Sequence, residues 1–146
     1  MISLDTNLLI YARVAANPWH DAARRFLEQL TAGAEVMIAE LVLVEYYLAL
    51  RNPAIMAPPL DPAAAVAECQ WFRAHPHWAL VEHADVMASV WRDAATAGFA
   101  RRRIVDARLA RTLLAHGVTE FATANVKDFQ DFGFARVWNP LATHGS

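Results

Sequence analysis

The chain has 146 residues, of which 56% are hydrophobic and 19% are charged. This composition suits one domain with a sizeable core and excludes a disordered chain. The formal net charge is −2, from 13 basic and 15 acidic residues, which excludes the global basic field that holds nucleic acid non-specifically. Any nucleic-acid contact must therefore be local.

Cysteine use and hydropathy limit the class of protein further. The single cysteine, Cys69, excludes an internal disulfide and a cysteine-based zinc site, which fits a reducing compartment. No uncharged run is long enough to cross a bilayer. We expect a soluble, cytoplasmic protein with no membrane partner.

The chain begins with a short apolar run that leads into Asp5-Thr6-Asn7, and a second apolar run then follows with helical spacing. This pattern predicts a buried strand, a polar turn and a helix. Ligands bind at the carboxyl ends of strands in parallel sheets, so Asp5 is placed like an active-site carboxylate. The alternative is that Asp5 only caps the helix that follows.

Further elements alternate along the chain. Apolar periodicity and terminal residues predict helices over residues 20–30, 40–50, 62–75, 85–97 and 105–116, and strands over residues 35–38, 78–81, 120–123 and 136–138. The proline-rich residues 52–62 read as a connection. Helices that alternate with short strands predict an α/β fold with a parallel sheet covered on both faces.

Glu45 is the one carboxylate inside an otherwise apolar helix, Leu41 to Leu50. We expect it to be buried. Because a buried unpaired carboxylate costs roughly several kcal/mol, Glu45 needs a cation or a shifted pKa. The alternative is a structural salt bridge to Arg13 or Arg51.

Asp106 is the third notable carboxylate and is expected at a helix start, where N-capping is the alternative. Carboxylates at a strand end, a helix start and an apolar helix can converge on one sheet edge. Such a cluster needs cations, and oxygen-only ligands suit Mg²⁺, with Mn²⁺ also possible, rather than zinc.

Four motifs, taken in order, resemble the PIN-domain family, and most closely its VapC-type toxins. They are Leu4-Asp5-Thr6-Asn7, the lone Glu45, Asp106-Ala-Arg-Leu-Ala110 and Ala122-Thr-Ala-Asn-Val-Lys-Asp-Phe129. The resemblance covers residues 1–141, which implies one PIN-like domain followed by a tail of residues 142–146. It implies a three-layer α/β/α sandwich around a parallel sheet, a divalent-metal ribonuclease, a homodimer and a cognate antitoxin.

The resemblance also assigns residues. Asp5, Glu45 and Asp106 match the three catalytic, metal-binding acids, and Thr6, Asn7 and Thr123 match polar residues that support the site. Family members carry Asp or Asn at a fourth position. Asn125 is the expected occupant, as a neutral ligand or hydrogen-bond donor, and Asp128 is the other candidate.

A basic cluster flanks Asp106. Phosphate contacts from such a cluster would position RNA without reading its sequence, and the alternative is a solvated basic connection. The predicted RNA-binding residues are Arg101, Arg102, Arg103 and Arg108. The aromatic residues Trp71, Phe72, Trp78 and Trp91 could stack on bases, although core or dimer packing is the favoured interpretation.

The predicted reaction is RNA hydrolysis by a metal-activated water. Two other classes of protein are rivals to this interpretation. A haloacid-dehalogenase phosphatase needs a second Asp two residues after the first, where this chain has Asn7. An inactive PIN scaffold that binds RNA or a partner protein stays as the alternative function.

Overall fold

The computed structural model describes residues 1–142. Its strands are β1 (Ile2–Leu4), β2 (Val36–Ala39), β3 (Trp78–Val81), β4 (Glu120–Ala122) and β5 (Arg136–Trp138). Its α-helices are α1 (Thr6–Arg13), α2 (His20–Gly33), α3 (Glu40–Leu50), α4 (Pro62–Arg73), α5 (Met87–Ala94) and α6 (Arg103–Ala115). A short 3₁₀ turn, Val126–Asp128, lies between β4 and β5.

The five strands form one sheet in the order β3-β2-β1-β4-β5, and every pairing is parallel. Right-handed crossovers place α1 to α4 on one face, because the chain moves outward from β1 to β3. They place α5 and α6 on the other face, because the chain then returns to β4. The predicted three-layer α/β/α sandwich is confirmed.

The strand order reverses between β1 and β4. The chain leaves β1 in one direction to reach β2 and β3, and it later enters β4 on the opposite side of β1. Ligands of open α/β sheets bind at such a switch point, beyond the carboxyl ends of the strands. Leu4 and Ala122 pair at the ends of these strands, so Asp5 and Thr123 both emerge at the switch point.

The core lies on both faces of the sheet. All four residues of β2 are buried, as a central parallel strand requires, and Leu4, Leu8 and Phe121 are fully buried beside it. Leu141 also packs into this core. The predicted tail, residues 142–146, lies outside the described residues except for Ala142. None of the described helices is long and apolar enough to span a bilayer.

The observed bounds of α3 agree closely with the predicted ones, whereas those of the helices before and at Asp106 differ from the prediction. α5 is shorter than the predicted range of residues 85–97, and α6 begins at Arg103 rather than at Val105. Gly117 ends the turn after α6 with φ +88°, and Val118 and Gly117 donate backbone hydrogen bonds to Leu113 and Leu114. This is the Schellman ending that a glycine makes possible.

Candidate active site

Asp5 is held between β1, β4 and the start of α1. Its backbone N–H donates to the carbonyl of Ala122 at 2.9 Å. Its Oδ1 accepts from the backbone N–H of Thr6 at 2.8 Å, so Asp5 does cap α1. Its Oδ2 accepts from the Thr123 hydroxyl at 2.8 Å and from Asn7 Nδ2 at 3.5 Å. The two interpretations of Asp5, as a helix cap and as a site carboxylate, are therefore compatible.

The loop after β4 is tied to the same carboxylate. Thr123 is buried, and its hydroxyl accepts from the backbone N–H of Asn125 at 2.9 Å while it donates to Asp5. Asn7 Oδ1 accepts from the backbone N–H of Ala124 at 3.4 Å. The predicted supporting residues Thr6, Asn7 and Thr123 thus lie around Asp5.

Glu45 is exposed, so the expectation that it is buried was wrong. An apolar helix need not be buried on all sides, and here the exposed positions Val44 and Leu48 flank Glu45 on the open side of α3. Thr6 Oγ1 donates to Glu45 Oε2 at 3.3 Å.

The alternative partners predicted for Glu45 are engaged elsewhere. Arg13 forms an ion pair with Glu68 at 2.6 Å, and Arg51 donates to the Tyr47 hydroxyl at 2.9 Å. Within residues 1–142, Glu45 makes no salt bridge. The structural salt-bridge interpretation of Glu45 therefore has no support in the described part of the chain.

Asp106 lies in the first turn of α6 and is half-buried. It is not the N-cap, because the helix begins three residues earlier, at Arg103. Asp5, Glu45, Asp106 and Asp128 all line one cavity of about 420 Å³. Four segments distant in sequence thus bring carboxylates to one edge of the sheet, and they include the three acids that were predicted to converge.

Burial and mutual repulsion disturb the titration of two of these acids. Burial, opposed by the hydrogen bonds from Thr123 and Thr6 and assisted by the charges of Glu45 and Asp128, raises the pKa of Asp5 to about 6. Burial raises the pKa of Asp106 to about 6 as well, and the charges of Asp5, Asp128 and Glu45 act in the same direction. At Asp106 the charge of Arg103 opposes this rise in pKa without cancelling it.

Both candidates for the fourth position line the cavity. Asn125 and Asp128 are exposed and lie at the two ends of the turn after β4. Their backbones are joined by a hydrogen bond from Asp128 N–H to the Asn125 carbonyl at 3.0 Å. Only Asp128 adds charge, and that charge acts on both Asp5 and Asp106.

The donor set suits a hard divalent cation. Within residues 1–142, no three His, Cys, Asp or Glu side chains are gathered closely enough to enclose an ion. The cavity nevertheless carries oxygen donors from four carboxylates, whose repulsion a cation would relieve. Oxygen-only donors favour Mg²⁺ or Mn²⁺ over zinc.

The predicted RNA-binding arginines lie outside the cavity lining. Arg103 is half-buried, stacks over Phe132 at 4.8 Å and approaches Asp131 at 3.7 Å. Arg101, Arg102 and Arg108 are exposed. Arg108 follows Asp106 by two residues, so it projects about 200° round the helix from it. Arg101 and Arg102 precede the helix that carries Asp106, which leaves them as the better-placed pair.

Sequence reasoning missed the apolar part of the cavity. These residues lie on α1, α3, the connection after α3 and the turn after β4; they are Ile10, Leu48, Ala49, Ile55 and Phe129, with the polar Asn52 among them. The signal was weak, because residues 52–62 were interpreted only as a connection. Of the four aromatics considered for stacking, Phe72 and Trp78 are buried, whereas Trp71 and Trp91 are exposed.

Comparison with known proteins places this arrangement in a family. The PIN domain profile matches residues 2–135. The chain belongs to the PIN-domain family. Ribonuclease VapC24 of Mycobacterium tuberculosis is 52% identical over 145 residues, which cover 99% of this chain and 100% of that protein. The resemblance to the VapC type is therefore confirmed.

Two solved structures share the PIN fold. VapC20 of Mycobacterium tuberculosis, a sarcin-ricin loop cleaving toxin, aligns with a TM-score of 0.63 and 22% identity over 83% of this chain and 87% of that chain. FitAcB from Neisseria gonorrhoeae aligns with a TM-score of 0.64 and 19% identity over 98% of this chain and 100% of that one. At this level of identity, both structures support the fold alone.

Proposed function

We propose that this PIN domain is a divalent-metal-dependent endoribonuclease that acts in the cytoplasm as the toxin of a toxin–antitoxin pair. The observation that carries the proposal is the convergence of Asp5, Glu45, Asp106 and Asp128 in one cavity at the switch point of the sheet. The 52% identity to a protein named Ribonuclease VapC24 supports the same activity.

Asp5, Glu45 and Asp106 would hold Mg²⁺ or Mn²⁺, with Asp128 as the fourth oxygen donor and Asn125 beside it. When bound, the ion supplies a water of lowered pKa and neutralises charge on the phosphoryl oxygens. Asp5 is the fixed member, because Thr6 and Thr123 hold both of its oxygens. Glu45 and Asp128 are exposed, so these two carboxylates would meet an entering substrate first, and Thr6 restrains Glu45.

The RNA backbone would meet the exposed arginines before α6. Arg101 and Arg102 are the proposed phosphate contacts, and Arg108 would contact a strand only further from the acids. Arg103 would mainly stabilise the fold rather than bind RNA, because Phe132 and Asp131 already contact its guanidinium. A local contact of this kind agrees with the net charge of −2.

The cognate antitoxin would bind the apolar groove on the helical face that carries α1 to α4. This groove has a volume of about 300 Å³. The Arg13–Glu68 ion pair lies in it, and the second carboxylate oxygen of Glu68 is buried without a hydrogen-bond partner among the described residues. An amphipathic antitoxin helix could supply both apolar side chains and a donor. The apolar lining of the groove includes Leu9, Leu27, Tyr46, Trp71 and Phe72.

A homodimer is also part of the proposal. Large apolar side chains such as Val44 and Trp91 are exposed in the single chain, and burying such a side chain against a second copy would be favourable. Sedimentation velocity of the purified chain is expected to give twice the mass of 16.2 kDa. A single species of chain mass at micromolar concentration would contradict the dimer.

The activity is tested by incubating purified chain with a pool of tRNA and ribosomal RNA. The reactions contain Mg²⁺, Mn²⁺ or a chelator, and Asp5→Asn and Glu45→Gln serve as variants that keep shape and remove charge. Discrete products that need metal and disappear in both variants support the nuclease. If wild type and variants are equally inert while all of them still bind RNA, the chain is a binding scaffold.

A further inference from the structure

The cavity that holds the acids has a second, apolar wall. Leu48 and Ala49 reach it from α3, and Asn52 and Ile55 reach it from the connection after that helix. Leu48 is 61% exposed and Ile55 is 40% exposed, although both are large apolar side chains. Two large apolar side chains exposed on the wall of one cavity are typical of a binding site.

Local hydrogen bonds fix the segment that carries Ile55. The backbone N–H groups of Ile55 and Met56 donate to the Asn52 carbonyl at 3.0 and 2.9 Å. The backbone N–H of Leu60 donates to the Leu50 carbonyl at 2.9 Å, which closes the loop. Ile55 is therefore held at the cavity by a defined turn, so its exposure is a property of the fold.

Asn52 offers a polar group on this wall. Its Oδ1 accepts from the backbone N–H of Ala54 at 2.9 Å, which fixes which side-chain atom is oxygen and which is nitrogen. Its Nδ2 has no acceptor among the described residues, so two N–H donors are available to a ligand. A ligand on this wall would thus meet two apolar surfaces and one hydrogen-bond donor.

We propose that this wall is a base-binding subsite, in which Leu48 and Ile55 contact the face of the nucleobase next to the scissile phosphate and the Asn52 amide donates to its edge. This inference rests on the proposed nuclease function. The scissile phosphate must lie at the carboxylates. The base of the nucleotide that carries this phosphate therefore lies within the length of one nucleotide from them. A cavity of about 420 Å³ has room for one nucleotide and not for a base pair with its stacked neighbours.

The subsite defines a substrate class. A base can reach this wall only when it is unpaired and unstacked, so the substrate is RNA with a single-stranded segment or loop at the cleavage site. Phosphate contacts do not read sequence, so any preference for a base would come from this wall. The amide donors select a base edge that presents an acceptor.

The test combines protein variants with altered substrates. Leu48→Ser, Ile55→Ser and Asn52→Ala are assayed with Mg²⁺ or Mn²⁺ on a short single-stranded RNA with one mapped cleavage site. They are also assayed on the same RNA made abasic beside that site and on the base-free diester bis(p-nitrophenyl) phosphate. Val66→Ser is the matched control, because Val66 is 46% exposed on α4 and does not line this cavity.

We expect Leu48→Ser and Ile55→Ser to raise KM on intact RNA about tenfold, the change that follows loss of one large apolar contact. Their effect should vanish on the abasic RNA and on the base-free diester. Asn52→Ala should weaken the preference among the four bases at the tested nucleotide. Val66→Ser should leave all of these values unchanged.

Three outcomes would decide against the subsite. Equal increases in KM on intact and abasic RNA would overturn it. So would the finding that Leu48→Ser turns a dimer into an inactive monomer, because a second copy would then cover this wall. Unchanged kinetics of all three variants, with an active wild type, would also overturn it. A wild type that cleaves neither RNA nor diester would instead overturn the proposed nuclease together with the subsite.

Discussion

The hydroxyl of Thr123 donates a 2.8 Å hydrogen bond to Oδ2 of Asp5, although 118 residues separate the two in sequence. The bond crosses from the end of β4 to the end of β1, where the strand order reverses. It leaves Asp5 with a fixed orientation and places the turn with Asn125 and Asp128 against the same carboxylate.

Removal of the Thr123 hydroxyl should lower metal affinity and activity without abolishing them. Thr123→Val keeps the side-chain volume but leaves Asp5 Oδ2 without its shortest donor, and loss of such a supporting contact typically costs about 10–100-fold in metal affinity or activity. Thr123→Ser keeps the hydroxyl and should retain most of the activity. Steady-state cleavage rates at varied Mn²⁺ measure both. Equal loss in both variants would show that the methyl group, not the hydroxyl, matters.

Neutralising Asp5 should stabilise the metal-free protein above pH 6. Burial raises the pKa of Asp5 from 3.8 to about 6, so the folded state binds a proton more tightly than the unfolded state does. The contribution of Asp5 to the free energy of unfolding is therefore largest below pH 3.8 and falls as the pH rises through about 6.

Asp5→Asn removes this penalty, and we expect a gain on the order of 1–2 kcal/mol at pH 7.5. The gain should disappear near pH 4, where wild-type Asp5 is protonated in the folded state. Urea unfolding with chelator at both pH values measures it. If Asp5→Asn lowered the free energy of unfolding as much at pH 7.5 as at pH 4, the predicted direction of the effect would be wrong. Addition of Mn²⁺ should stabilise wild type and not the variant.

The fourth position can be assigned by two substitutions. Asp128→Asn should raise the dissociation constant for Mn²⁺ about tenfold, whereas Asn125→Ala should change it by about twofold or less, because a negative charge binds a divalent ion more strongly than a neutral amide does. Asp131→Asn removes a charge from the same loop outside the cavity and serves as the control. Isothermal titration calorimetry measures the binding. A larger effect at Asn125 would assign the position to Asn125.

The two kinds of arginine before Asp106 should differ in their effects. Arg102→Gln should reduce the slope of log affinity against log salt by about 0.7, the value for one phosphate contact on single-stranded RNA. Arg103→Gln should leave that slope largely unchanged and lower the melting temperature, because it loses contacts with Phe132 and Asp131. Arg25→Gln is the control, because Arg25 is an exposed arginine on α2. Binding to a non-cleaved RNA at several salt concentrations, with Asp5→Asn as the background, gives the slopes.

The sequence was informative where chain position and chemistry coincide. Asp5 follows an apolar strand and precedes a helix, and that order alone indicated both its capping role and its place at the sheet edge. The bounds of α3 and β3 were predicted without error, because clear apolar runs end at Arg51-Asn52-Pro53 and at the polar residues after Val81.

The error at Glu45 has a physical cause, which is that local pattern does not reveal solvent exposure. Glu45 was expected to be buried because its helix is apolar on all sides, yet one side of α3 forms the open rim of the cavity. Leu48 lies on that same rim. The start of α6 was placed too late because Arg101 to Arg103 look like a polar loop, and charge alone does not prevent a helix.

The most direct test of metal-dependent hydrolysis is the chemistry of the cut ends. Wild-type chain cleaves a mapped RNA with Mg²⁺ in water enriched in ¹⁸O, under single-turnover conditions, and the products are weighed by mass spectrometry. Attack by water predicts one ¹⁸O in the terminal phosphate monoester, no cyclic phosphate, and continued cleavage when the nucleotide at the cut carries no 2′-hydroxyl. A 2′,3′-cyclic phosphate that forms equally well with chelator, and is lost on 2′-deoxy substitution, would contradict a carboxylate-held metal as the centre of this site.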